Sequence, residues 1–156
     1  MKLTTAAFAL ALTFAATTVA TSAWAAPEPT EKDAIAMAEK GAAFIKSNGK
    51  EALMKKLSAK DPDYLQGSLY IDIRDINTGV VLAHPVNPNI VGKDLIDVPD
   101  ANGKKYRREI VELAKKSGKG WVDYMYRNPV SGKIEPKTTY ILRVDDVVLE
   151  AGIYKK

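Results

Sequence analysis

The rhythm of apolar and polar positions changes several times along the chain, and each rhythm predicts an element. After Thr30 the apolar residues recur at helical spacing: Ile35, Ala38, Ala42 and Ile45, with Met37 and Phe44 on a flanking stripe. Thr30 is a good N-cap, and Asp33 completes a capping-box variant. Asn48-Gly49 stops this helix at about Ser47. Ala34, Ala36, Gly41 and Ala43 are small enough to let another element approach closely. A shorter helix, about Lys50–Ala59, puts Leu53 and Leu57 on one face and ends at Asp61-Pro62. From Ser68 the period drops to two, as Leu69, Ile71 and Ile73 alternate with Tyr70, Asp72 and Arg74. That predicts a half-buried strand with a polar or partly wet side. Asn77-Thr78-Gly79 turns the chain, and Val80–His84 returns as the second strand of a hairpin.

Pro85 to Pro99 reads as a loop, and its length predicts a functional or lid role. Asp100-Ala-Asn-Gly103 leads into a third helix, about Lys104–Ser117, with Tyr106, Ile110, Leu113 and Ala114 on its apolar face. Strands follow at Trp121–Tyr126, Thr138–Val144 and Val147–Tyr154. Turns at Asn128–Gly132 and Asp145-Asp146 join them. The order is α-α-β-β-α-β-β-β. Three consecutive strands favour hairpin links and an antiparallel sheet. A chain of this length supports one core, so the first two strands join the same sheet. The expected architecture is α+β: one twisted antiparallel sheet of about five strands, covered by helices.

The start of the chain has a different character. Residues 3–27 carry no charge, Lys2 supplies a positive n-region, and Ala23-Trp24-Ala25 is a small-x-small site. This is a secretory signal pattern with cleavage expected after Ala25. The alternative, an uncleaved membrane anchor, fits the length but not the Ala- and Thr-rich composition. The expected domains are a signal peptide over 1–25, a leader over 26–29 and one domain over 30–156. Removing 1–25 leaves 131 of 156 residues and lowers the formal charge from +4 to +3. The localisation expected is periplasmic or secreted.

Composition excludes several chemistries. With no Cys there is no disulfide framework, thiolate zinc site or Cys nucleophile, and the lack of an unpaired thiol suits a periplasm. With one His there is no multi-histidine metal centre. The lysines are scattered, without a basic stripe for nucleic acid. No G-x-S-x-G elbow, Walker motif or G-x-G-x-x-G occurs, so no enzyme class is indicated and no catalytic residue is assigned. Asp97, Asp100 and Asn102 lack the EF-hand pattern and read as turn chemistry.

A series of short motifs, in order, carries a resemblance. They are Leu82-Ala-His-Pro85, Val91-Gly-Lys-Asp-Leu95, Asp100-Ala-Asn-Gly103, Gly120-Trp-Val-Asp-Tyr124, Asn128-Pro129, Pro136-Lys137 with Tyr140, and Ala151-Gly-Ile-Tyr154. Together with the long first helix they resemble the single-Cache, PAS-like extracellular sensor domains of chemoreceptors and sensor kinases. The resemblance implies a Cache fold with a long N-terminal helix and a shorter helix inserted after the first hairpin. It also implies a small-molecule pocket on one side of the sheet, often for organic acids or amino acids, closed by loops and a short helix. Typical members lie between two membrane helices. This chain offers no second span and ends two residues after the last strand, so the expectation is a stand-alone exported domain acting through a partner such as a membrane sensor or transporter.

The candidate ligand residues are Lys137, Tyr124, Tyr140, His84, Tyr70, Trp121 and Tyr126. Lys137 falls on the family's Pro-Lys pattern and is the expected point charge for a carboxylate; an ordinary strand-end lysine is the competing reading. Tyr124 and Tyr140 are expected to face the ligand with donor hydroxyls. Strand parity sets Val122, Tyr124 and Tyr126 opposite Trp121, Asp123 and Met125, so both sets cannot line one pocket without a bulge. Tyr70 could face pocket or solvent. His84 reads first as a hydrogen-bonded strand-end residue and second as a ligand donor, while noncovalent haem ligation is a distant third. No cofactor is expected. Besides the organic-acid sensor, a structural module stays open, with a vestigial pocket and dimerisation through Ala34, Ala38, Gly41 and Ala42.

Overall fold

The structure, a computed structural model, describes residues 28–155. The expected signal segment, its cleavage site and the start of the leader lie outside the described residues. Thr30 caps helix α1 (Glu31–Asn48) as the spacing predicts. The Thr30 hydroxyl accepts the Asp33 N–H, and the Asp33 carboxylate accepts the Thr30 N–H at 2.8 Å. Gly49, at φ +85, lets the chain turn straight into α2 (Lys50–Ser58). Strands β1 (Leu65–Gln66), β2 (Leu69–Asp75) and β3 (Val81–Ala83) come next, then a 3-10 turn at Pro88–Ile90 and helix α3 (Tyr106–Ser117). Strands β4 (Lys119–Arg127), β5 (Ile134–Val144) and β6 (Val147–Tyr154) complete the chain.

The sheet is antiparallel with the order β1-β2-β6-β5-β4, and β3 also pairs with β2. It has six strands, one more than expected. The added strand β1 is only two residues long and shows no alternation in sequence. β5 also starts earlier than expected, at Ile134. Its ladder with β4 runs through Pro136 opposite Met125, but its ladder with β6 begins only at Lys137. Pro136 therefore sits where no inter-strand donor is needed on the β6 side. The loop read from Pro85 to Pro99 contains the Pro88–Ile90 turn, too short for a periodic signal.

Period two sends alternate residues to opposite faces. One face of the sheet presents Ile71 and Ile73 of β2, Leu149 and Ala151 of β6, and Tyr140 and Val144 of β5 to helix α1. Helix α1 buries Ala34, Met37, Ala38, Gly41, Ala42 and Ile45 against them. A Cβ on Gly41 would stand 2.9 Å from Ile71 Cδ1 and 3.1 Å from Leu149 Cδ1, so the small residue permits the close approach. This corrects the basis for the dimer reading: Ala34, Ala38, Gly41 and Ala42 are used inside the chain. On the other face Ile110 and Ala114 of α3 pack on Val122, Ile141 and Val148. Among the described residues no helix is long and apolar enough to cross a membrane.

Candidate functional site: a closed polar pocket beside helix α3

Helix α3 leaves the rest of its sheet face polar. Parity brings Tyr70, Asp72 and Arg74 of β2 to this face, with Glu150, Gly152 and Tyr154 of β6 beside them. β5 adds Lys137 and Thr139, and β4 adds Tyr124 and Tyr126. The segment after β3 covers them, with His84 at its start and Ile90 of the 3-10 turn on the cavity wall. The void left among Tyr70, Asp72, His84, Tyr106, Tyr126 and Glu150 measures about 10 Å³, about the room of one water.

The buried polar groups fall into two sets. The first set is satisfied within the chain. Arg74 grips Glu150 with two bonds, Nε to Oε1 at 2.5 Å and Nη2 to Oε2 at 3.2 Å, and donates from Nη1 to Gly79 O at 2.7 Å. Burial works against the Arg74 charge, but the Glu150 carboxylate more than offsets it and holds the guanidinium protonated. The Tyr124 hydroxyl bonds Thr139 Oγ1 at 2.9 Å, and its ring stacks on Tyr106 at 3.9 Å between centroids. Asn87 donates to the Tyr126 hydroxyl at 3.3 Å.

The second set is not. Lys137 is 2% exposed. Its ammonium lies over the Tyr70 ring at 4.0 Å and near the Tyr126 and Tyr154 rings at 5.2 and 5.3 Å. Its side chain folds across Gly152, where a Cβ would stand 1.9 Å from Lys137 Cε, so only glycine leaves it room. Burial lowers the Lys137 pKa to about 8, while the fields of Asp72 and Glu150 favour the charged form. The Tyr70 hydroxyl is buried beside the Tyr154 hydroxyl and makes no hydrogen bond of good geometry among the described residues. His84 accepts the Val86 and Asn87 N–H groups on Nδ1, at 3.2 and 3.0 Å. Burial pushes its pKa down to about 3, so the ring is neutral and carries its proton on Nε2 as a donor. Asp72 is 5% exposed; burial raises its pKa, and Arg74, Lys137 and Arg107 oppose that from a distance.

The sequence-predicted residues divide accordingly. Lys137, Tyr70, Tyr124, Tyr126 and His84 come together on this face. Tyr140 and Trp121 do not. They sit opposite each other on the α1 face with rings 5.3 Å apart, as members of the main core. No bulge interrupts the β4–β5 register, so parity alone keeps them from the ligand side. Pairing Tyr140 with Tyr124 at one ligand is therefore corrected. Tyr124 itself is engaged with Thr139 and Tyr106 rather than free. Asp72, Arg74, Glu150, Tyr106 and Arg107 were missed as site residues. The signal for Glu150 was a lone acid at the centre of an apolar strand, in parity with Gly152 and Tyr154. The Asp100 oxygens are taken by the N–H groups of Asn102, Lys104 and Met125, the turn role expected of it.

An open depression of about 910 Å³ lies elsewhere, between the start of α1 and the β4–β5 turn. Its polar lining, including Asp33, Ser131 and Lys155, is largely exposed, and it holds none of the buried unpaired groups just described.

A helix-backed antiparallel sheet with a closed polar pocket on its other face defines a PAS-like sensor domain. The chain belongs to the single Cache domain 2 family, whose model matches residues 30–156. It is similar in structure to a methyl-accepting chemotaxis protein from Vibrio parahaemolyticus, at 25% identity and a TM-score of 0.69, covering 80% of this chain and 87% of that one. It is also similar to the periplasmic sensor domain of a chemotaxis protein, at 26% identity and a TM-score of 0.63, over 80% and 90% of the two chains. A third similar structure is a Cache chemosensory domain solved for its carboxylic acid recognition, at 23% identity and a TM-score of 0.62, over 80% and 88%.

Proposed function

We propose that this chain is an exported sensor domain that binds a short organic acid in the closed pocket and reports it through a partner protein. The observation that carries the reading is Lys137: a buried ammonium with aromatic rings around it and no carboxylate in ion-pair contact among the described residues. A buried charge without a paired counter-charge is costly, and a ligand carboxylate supplies the missing partner. His84 Nε2–H and the buried Tyr70 hydroxyl add donors. The carboxylic acid recognition of one structural neighbour supports this class of ligand. Entry requires the segment around Ile90 to move, because the void is too small for even a three-carbon acid. The role is binding rather than catalysis, and the partner would be a membrane sensor or transporter.

The test is calorimetric titration with two- to four-carbon monocarboxylates at pH 7 and pH 9. Binding is expected at pH 7, with affinity falling about tenfold per pH unit above the Lys137 pKa. Lys137→Met is expected to abolish it. A Lys137→Met protein that binds the best acid unchanged sinks the reading. The small void favours a second reading, in which the pocket is filled by its own side chains and the domain is structural. Identical melting curves with and without every acid would favour that one.

A further inference from the structure

Within the pocket the satisfied groups can be subtracted from the unsatisfied ones. Glu150 is consumed by Arg74, and Tyr124 by Thr139. One acid remains. Asp72 lies on the cavity wall, buried, with no ion pair closing on it among the described residues. It stands one same-face step along β2 from Tyr70, whose ring carries the Lys137 ammonium 4.0 Å from its centroid. That step is about 7 Å. Asp72 is near enough for its charge to act on the Lys137 ammonium, so a short acid whose carboxylate meets Lys137 brings its next carbon toward Asp72.

We propose that Asp72 reads carbon 2 of the ligand. It accepts a hydrogen bond from a hydroxyl or ammonium on the carbon next to the carboxylate, so the pocket selects short 2-hydroxy and 2-amino acids over 2-oxo and unsubstituted ones. This rests on the carboxylate reading of Lys137. The Arg74, Lys137 and Arg107 charges around Asp72 favour its ionised form against burial, and an ionised carboxylate accepts and never donates. A 2-oxo group there sets lone pair against lone pair. A plain methylene leaves Asp72 as unpaired as it is without ligand and forfeits the hydrogen bond that a hydroxyl or ammonium supplies. The groups facing Asp72 are Arg74 on its own strand, Glu150 on β6, Lys137 on β5, and Arg107 from α3. Arg74 is already bound to Glu150, and Arg107 Nη1 donates to Val98 O at 3.0 Å. Neither makes an ion pair with Asp72 among the described residues, although the buried Arg107 Nε has no hydrogen-bond partner there.

Titration at pH 7 with propionate, pyruvate, lactate and alanine tests this, because the four differ only at carbon 2. Lactate and alanine are expected to bind at least about tenfold more tightly than propionate or pyruvate. Asp72→Asn, which keeps the shape and adds a donor, is expected to bring all four within about threefold of one another. Melting curves check that this variant folds, and the wild-type series stands without it. The inference is overturned if wild type binds propionate or pyruvate as tightly as lactate and alanine. It is equally overturned if Asp72→Asn keeps the wild-type preference. Equal binding of all four acids that Lys137→Met abolishes would defeat this inference alone and leave the carboxylate reading standing. No binding of any of the four would defeat both.

Discussion

At the scale of the residue, the site is governed by what burial does to charge. Lys137 and Arg74 share one sheet face, yet only Arg74 has a bidentate carboxylate, so only Lys137 is left with a lowered pKa. The sign of its effect on stability follows. The folded state releases the Lys137 proton near pH 8, whereas an unfolded lysine holds it to its ordinary 10.5. Between those values the unfolded state binds more protons, so stability rises with pH. Lys137 by itself is expected to contribute a gain of about 2 kcal/mol between pH 8 and 10, offset near pH 10 as unfolded tyrosines begin to ionise. Above that, burial of Tyr70 and Tyr124 raises their pKa values, and the sign reverses as unfolded tyrosines ionise first. Urea unfolding of wild type and Lys137→Met at pH 8 and 10 measures the difference. Parallel pH dependence in the two proteins would show that Lys137 is not the group responsible.

At the scale of the element, the cover of the pocket is fastened to an edge strand. β4 ends the sheet, and its outward Met125 N–H is taken by Asp100 Oδ2 at 2.7 Å. Lys104 Nζ bonds Asp123 O next to it at 2.6 Å. The other Asp100 oxygen holds the Asn102 and Lys104 N–H groups, so one side chain both shapes the turn and ties it to the sheet. Asp100→Ala is expected to cost about 1–3 kcal/mol. It should also speed hydrogen exchange at the Met125 amide and raise the association rate of any ligand that must pass the cover. An unchanged Met125 exchange rate would count against the fastening. The long loop from Pro85 to Pro99 signalled a cover in the sequence, but its anchor did not: Asp100 and Met125 are 25 residues apart, and nothing local links them.

At the scale of the whole molecule, one sheet separates two tasks. The α1 face holds the main apolar core, and the opposite face is divided between α3 packing and the pocket. The proposed export is tested by expressing the full chain in a bacterium. The periplasmic fraction should contain a protein whose N-terminus is Ala26, and an Ala25→Arg change should block its processing. Retention of residues 1–25 in the wild type would refute the proposed cleavage. By itself the sequence determined the helices, the five longer strands, their antiparallel arrangement and the parity of each strand, because these depend on period, caps and turn residues. Parity already set Tyr124 and Tyr126 apart from Trp121. Tertiary structure alone decided which face became core, and so sent Tyr140 to α1 and Lys137 to the opposite face, over the Tyr70 ring beside the cavity. It also decided that Arg74 takes Glu150 and leaves Asp72 unpaired. Those pairings join β2 to β6 across 76 residues, a distance at which local pattern carries no information about which charges meet.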